Sequence, residues 1–137
     1  MIERKQLLPK WIRFFCWIFL PLLASPIILI VGLYVGDMEY GLFGLNYYGP
    51  SLRPLPIFMI LMLSFHGIAE YGLLWSKKWG IDVGISCGLI GAALSIIGMI
   101  GAYSKGRVHF EFSIFLQILF LITLFTIRQK WLALHED

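Results

Sequence analysis

The stretch that decides the fold is residues 81–103, which reads IDVGISCGLIGAALSIIGMIGAY. Its only charged residue is Asp82, and the remainder is apolar or small. A transmembrane helix needs about 20 mainly apolar residues to cross about 30 Å of hydrocarbon. This stretch is therefore predicted to be a membrane-spanning helix.

The composition of the whole chain supports the same interpretation. Of its 137 residues, 59% are hydrophobic, 16% are aromatic and 14% are charged, and the mean hydropathy is +0.82. A soluble domain carries about 25% charged and 45–50% apolar residues. The balance excludes a disordered chain, a nucleic-acid-binding domain and almost any water-soluble domain. The net charge of +3 does not indicate an anionic partner, because the basic residues lie in small groups beside apolar runs.

Three further stretches are long and apolar enough to cross a membrane. The four predicted spans are residues 14–35, 57–75, 81–103 and 110–127. They predict one all-α domain over residues 1–137, a four-helix transmembrane bundle in a lipid bilayer. Pro21 and Pro26 should kink the first span. That span is not a cleaved signal peptide, because its apolar run is far longer than the 7–15 residues of a signal sequence.

The positions of the basic and aromatic residues predict the orientation. An N-terminus in the cytoplasm places eight basic residues inside: Arg4, Lys5, Lys10, Arg13, Lys77, Lys78, Arg128 and Lys130. Three lie outside: Arg53, Lys105 and Arg107. The five tryptophans all fall near the cytoplasmic ends of the spans. Because positive charge favours the cytoplasmic side and tryptophan favours the interface, both termini are predicted to be cytoplasmic.

Residues 36–56 form the one long connection, GDMEYGLFGLNYYGPSLRPLP. A fully solvated loop would be more polar. We expect this segment to lie folded on the outer membrane interface, with its tyrosines at headgroup level. It would then serve as a simple connection, or as a lid or a partner-docking surface.

Two ionisable residues lie within the second span. His66 is its central residue, and Glu70 follows four residues later on the same helix face. Ionisable groups at this depth cost at least about 2.5–3.5 kcal/mol, so each needs a reason. The pair would serve proton relay, ligand binding or haem ligation; the structural alternative is a buried polar pair that fixes the register of the bundle.

Two other polar residues occupy the midpoints of their spans. They are Gln117 in the fourth span and Ser25 in the first. The candidate intramembrane polar site is therefore His66, Glu70, Gln117 and Ser25. Asp82, at the start of the third span, is expected to cap its helix and pair with Lys77 or Lys78, or to form a cytoplasmic-side ion gate with Glu70.

Small residues recur along one face of the third span. They are Gly80, Gly84, Gly88, Gly91 and Ser95. Such a ridge lets helix backbones approach closely in lipid. It would pack within the bundle, or form the interface of a homo-oligomer or of a partner's helix.

No catalytic motif accompanies these features. The chain lacks a phosphate-binding G-x-x-x-x-G-K-[ST] loop, an H-E-x-x-H helix and a G-x-S-x-G elbow. Cys16 and Cys87 are isolated in apolar segments and are expected to be buried free thiols. Enzyme chemistry is therefore disfavoured, and no catalytic residue, cofactor or metal is predicted.

The turn between the second and third spans resembles a known pattern. Residues 72–80, GLLWSKKWG, are similar to the GLL-x-x-K-x-W cytoplasmic hairpin of several groups of small, uncharacterised bacterial four-helix membrane proteins. The resemblance covers about 30 of the 137 residues, including the glycine-rich helix that follows. It implies a protein of the bacterial inner membrane and transfers no catalytic residue.

The leading hypothesis from the sequence is a non-enzymatic accessory or interaction subunit that packs through its glycine-rich third helix. The first alternative is a small proton-coupled transporter that uses His66 and Glu70. The second is a membrane enzyme or haem-binding protein that uses His66.

Overall fold

The computed structural model describes residues 4–104, 106 and 112–134. Its elements in chain order are α1 (Arg4–Leu7), α2 (Lys10–Phe19), a 3-10 helix (Leu20–Ala24), α3 (Pro26–Val35), β1 (Asp37–Leu42), β2 (Leu45–Pro50), α4 (Pro54–Leu74), α5 (Gly80–Ser104) and α6 (Ser113–Ala133). The chain is therefore mostly helical, with one small two-stranded sheet. In the described part, α4, α5 and α6 are each long and apolar enough to cross a membrane.

The second and third predicted spans agree with α4 and α5 to within a few residues. The fourth differs, because α6 continues to Ala133 through Arg128 and Lys130. The buried ring of Trp131 holds this last turn in place, since its Nε1 donates to the Lys77 carbonyl at 3.1 Å. Residues 110 and 111 of the predicted span, and Lys105 and Arg107 of the charge count, lie outside the described residues.

The first predicted span is broken in two at Pro26, one of the two prolines that were expected to kink it, whereas Pro21 lies in the 3-10 helix before the break. The helical segments Lys10–Ala24 and Pro26–Val35 are bent by 46° at the break, and together they count as a fourth span if they form one. Pro26 opens α3 and has no N–H with which to continue the preceding helix. The bend packs closely on α4, because a Cβ at Gly67 would lie 2.9 Å from Cα of Leu23.

Residues 37–50 form a β-hairpin instead of the expected interfacial loop. β1 and β2 pair antiparallel, with Asp37 opposite Pro50 and Leu42 opposite Leu45. The two-residue turn between them has φ of 48° at Phe43 and 78° at Gly44. Positive φ at both positions is the type I′ arrangement, whose twist matches that of paired strands.

The tip of the hairpin reaches the middle of the bundle. Six-residue strands extend about 20 Å, and the helix from Pro54 to His66 rises about 18 Å. The Phe43 and His66 rings accordingly meet, with centroids 5.3 Å apart. At the base, Tyr48 is 73% exposed, whereas Tyr40 is buried beside Met59 and Ile60. The tyrosines therefore do not share one environment.

The end of the bundle that carries the α4–α5 turn, called the turn end below, has its own core. Buried residues of α2, α4, α5 and α6 form one cluster there, which includes Ile12, Leu73, Ile81 and Leu124. Arg4 joins α1 to the end of α6 by hydrogen bonds. Its Nε donates to the Trp131 carbonyl at 3.0 Å, and another guanidinium nitrogen donates to the Leu134 carbonyl. These bonds satisfy carbonyls that a helix end otherwise leaves unpaired.

The small-residue ridge of α5 is covered by the chain itself. The close contacts of a Cβ built on each glycine identify its neighbours: Gly80 meets Gly72, Gly84 meets Leu124 and Leu73, Gly88 meets Leu121, and Gly91 meets Phe43 and Gln117. Ser95 is fully buried, and its Oγ lies 3.5 Å from Nε2 of Gln117. The ridge therefore brings α4, α6 and the hairpin tip close to α5.

Candidate functional site

A cavity of about 340 Å³ lies between the hairpin tip and the core of the turn end. Its lining comes from α2, the 3-10 helix, the hairpin, α4, α5 and α6: Trp11, Phe15, Phe19, Leu22, Gly41, Leu42, Phe43, Leu63, His66, Ala69, Glu70, Cys87, Gly88, Ser113, Leu116, Gln117 and Phe120. The surface is mostly apolar, and five of these residues are aromatic. Apolar cavities with a few convergent polar groups are the usual form of small-molecule sites.

Three of the four residues of the predicted polar site meet in this cavity. His66 and Glu70 reach it from α4, and Gln117 reaches it from α6. Ser25 does not line it. Its hydroxyl lies 2.9 Å from Oγ of Ser64 and 3.3 Å from the Ile60 carbonyl, so it joins the bend to α4 instead.

Glu70 contributes a buried carboxyl group to the cavity. Its side chain is buried, with 7% of its surface exposed, and Oε2 has no hydrogen-bond partner among the described residues. The Cys16 thiol lies within hydrogen-bonding reach of the carboxyl group, and Cys87 is close enough to interact with its charge. The described lining contains neither lysine nor arginine. A carboxylate here would have no cationic partner from the described lining.

His66 presents one ring nitrogen as a hydrogen-bond acceptor. Its Nδ1 lies 2.9 Å from the Met62 carbonyl, which can only accept, so Nδ1 carries the proton of the neutral ring. The other nitrogen, Nε2, then has a free lone pair. No hydrogen bond joins His66 to Glu70 within the described structure, although both side chains line the same cavity.

Gln117 contributes a third acceptor. Its Nε2 donates to the hydroxyl of Ser95, whereas its Oε1 is buried and has no partner within residues 4–104, 106 and 112–134. Three hydrogen-bond acceptors without a donor in the described structure therefore face the cavity. They are a carboxyl oxygen, an amide oxygen and an imidazole nitrogen. A complementary ligand would bring donors or positive charge.

Asp82 has a different partner from the one expected. Arg128 of α6 donates from Nε to its Oδ1 at 2.7 Å, and both side chains are about half exposed, at 45% and 48%. The expected pairing with Lys77 or Lys78 overlooked α6, which crosses close to the start of α5. Asp82 does not line the cavity that contains Glu70.

Sequence reasoning missed the aromatic part of the site. The segment Leu42-Phe43-Gly44-Leu45 carried only half of a hairpin signal, because Gly44 suits the second position of a type I′ turn whereas Phe43 is not a residue that favours the first. No signal placed the tip against His66. Cys16 and Cys87 are buried and free, as expected. Their closeness to Glu70 depends on how α2 and α5 are rotated about their axes, which the sequence did not show.

Within the described residues, no group of three or more histidine, cysteine or acidic side chains is placed to hold a metal ion. Comparisons with protein-family models, curated proteins and solved structures found no match. The function of this chain is therefore inferred from the geometry of the cavity.

Proposed function

We propose that this chain is a small proton-coupled carrier of the bacterial inner membrane, with Glu70 as its proton-binding group. The bent α2–α3 segment is its first span and α4, α5 and α6 are the others, so that both termini are cytoplasmic. The observation that carries the proposal is the buried Glu70 carboxyl, whose Oε2 has no partner in the described structure.

A carboxyl group buried in this way is stable in two states. A charged side chain inside the hydrocarbon is costly unless it is neutralised or paired. Glu70 is therefore either protonated or matched by a cation that enters the cavity. A carrier that alternates between these two states exchanges protons for its substrate.

The arrangement around the cavity agrees with this role. The hairpin tip closes one end with Phe43, and the buried cluster of the turn end closes the other. Irregular backbone at membrane depth is tolerated where protein buries it or where it lines a cavity. A substrate in this space would be separated from water on both sides.

The accessory-subunit hypothesis receives less support from the geometry. A partner helix would pack on the small-residue ridge of α5, but residues of the same chain already contact Gly84, Gly88 and Gly91. Haem binding is also less supported, since His66 is the only histidine in the described lining of the cavity. Neither alternative explains the unpartnered oxygen of Glu70.

Infrared spectroscopy of the protein in lipid tests the proton-binding role directly. We expect a protonated-carboxyl band that changes with pH, that is missing from Glu70→Gln and that is retained in Glu39→Gln. Glu39 is the matched control because it is an exposed glutamate on the hairpin, away from the cavity. A carboxyl group that never gains or loses its proton over the pH range in which the protein is folded would contradict the proposal.

Transport is tested in liposomes that contain a pH-sensitive dye and carry an imposed pH gradient. Anionic, neutral and cationic small solutes are offered in turn. We expect one class to accelerate proton movement, with complete loss in Glu70→Gln and wild-type rates in Glu39→Gln. Equal proton movement with wild-type protein and Glu70→Gln would refute the coupled-carrier function.

A further inference from the structure

The chemistry of the cavity also identifies a ligand class, and this inference rests on the proposed function. We infer that the cavity binds an amphipathic organic amine in its cationic form, with the ammonium group at Glu70 and Gln117 and the apolar body among the aromatic rings.

The polar atoms of the cavity determine the head group. Oε2 of Glu70 and Oε1 of Gln117 are both buried acceptors without partners in the described residues, and Nε2 of His66 is a third acceptor. An ammonium group brings several N–H donors and a positive charge, so it satisfies acceptors and carboxylate together. A carboxylate or phosphate ligand would instead bring more acceptors and a repulsive charge.

The apolar part of the lining determines the body of the ligand. Five aromatic residues from three parts of the chain (α2, the hairpin turn and α6) face the cavity: Trp11, Phe15, Phe19, Phe43 and Phe120. Aromatic faces attract cations and also provide large apolar contact area. A small, strongly hydrated metal cation would leave this surface unused. A volume of about 340 Å³ lies at the small end of the range for ligand pockets.

The position of the cavity indicates how such a ligand would reach it. Phe19 of α2 and Leu116 of α6 line the cavity and are each 41% exposed at the apolar surface of the protein. The cavity therefore borders the surface that faces lipid. An amine with an apolar body partitions into the bilayer and would enter from that side.

Binding is expected to release a proton, because the ammonium group replaces the proton of Glu70. Four ionisable groups are grouped here: Glu70 and His66 on α4, Cys16 on α2 and Cys87 on α5. The described lining residues of α6 and of the hairpin add none. We therefore assign the released proton to Glu70, and the Glu70→Gln variant tests that assignment.

Calorimetry with the full chain in lipid nanodiscs tests the ligand class. The probes are phenylbutylammonium, phenylbutanol and phenylpentanoate, which share the phenylbutyl body and differ in the charge of the head group. We expect the ammonium probe to bind at least about tenfold more tightly than the other two, as charge-assisted hydrogen bonds require. Titrations in two buffers of different ionisation enthalpy should show proton release with the ammonium probe.

Two variants complete the test. Glu70→Gln should weaken ammonium binding at least about tenfold and abolish proton release, whereas Glu39→Gln should bind as the wild type does. Equal affinity of wild-type protein for the alcohol and the ammonium probe would overturn the inference even if Glu70→Gln did not fold. If that result appeared while the infrared band of Glu70 still titrated, the ligand class would be wrong and the proton-binding role would stand.

Discussion

An acceptor atom without a donor inside a protein costs free energy, because it has lost its hydrogen bonds to water. Glu70 and Gln117 each carry such an atom, and both line one cavity. By contrast, Ser25, Ser64 and Ser95 all have hydrogen-bond partners. The three serines join elements of the bundle, whereas Glu70 and Gln117 are the residues at which we propose that a ligand binds.

Ser76 offers a residue-scale prediction about stability. It follows the end of α4 with φ of 56°, and its N–H bonds to the Leu73 carbonyl while that of Lys77 bonds to the Gly72 carbonyl. This is the pattern in which glycine is favoured. Ser76→Gly should stabilise the protein by about 1 kcal/mol, seen as a higher midpoint of thermal unfolding in detergent.

Ser86→Gly is the control for that experiment. Ser86 is an exposed residue inside α5, where glycine is a poorer helix former than serine by about 0.5 kcal/mol. The two substitutions should therefore shift the unfolding midpoint in opposite directions. A lower midpoint for Ser76→Gly would show that the positive φ of Ser76 does not lower the stability of the protein.

At the scale of elements, α4 and α5 are held together by backbone contact at the turn end. A Cβ at Gly80 would overlap the backbone of Gly72, and one at Gly72 would lie 2.8 Å from Cα of Gly80. The atoms involved belong to backbone, so they cannot move aside as a flexible side chain can. The tight five-residue turn depends on this approach.

Gly80→Ala should therefore destabilise the protein by about 3 kcal/mol, the usual scale of overpacking. Thermal unfolding in detergent measures it. Gly101→Ala is the matched control, because it lies in the same helix with nothing within 4 Å of its Cβ position. It should leave the midpoint unchanged or raise it. Because alanine is a better helix former than glycine, an equal loss in both variants would contradict backbone overlap at Gly80 as the cause.

The hairpin tip closes one end of the cavity that lies between the helices. Gly98 lets this tip approach, because a Cβ there would lie 2.7 Å from the Phe43 carbonyl oxygen. Phe43 adopts a positive φ of 48°, which is rare for a bulky residue and costs about 1–3 kcal/mol. The contact of its ring with His66 and Gly91 offsets part of that strain.

At the scale of the whole molecule, the number of spans depends on the bent α2–α3 segment. If it crosses the membrane, both termini lie on the same side, which we propose is the cytoplasm; if it re-enters the same side, they lie on opposite sides. We expect a reporter that is active only in the cytoplasm to be active at either terminus of the full chain. Fusion after Arg53 should be inactive and fusion after Lys78 active. Activity at one terminus only would refute the four-span arrangement.

The sequence by itself determined which helices are long and apolar enough to cross the hydrocarbon. Their length follows from membrane thickness, so α4 and α5 were predicted to within a few residues. It also determined that His66 and Glu70 share a face, because residues four apart lie together on any helix.

The tertiary structure alone decided which polar residues meet. Helices that are apolar all round carry no pattern that fixes their rotation, because lipid covers one face as well as another. Gln117 therefore joins Glu70 while Ser25 turns toward Ser64. The depth of the hairpin was likewise settled by packing, since Phe43 reaches His66 only where Gly91 and Gly98 leave room for it.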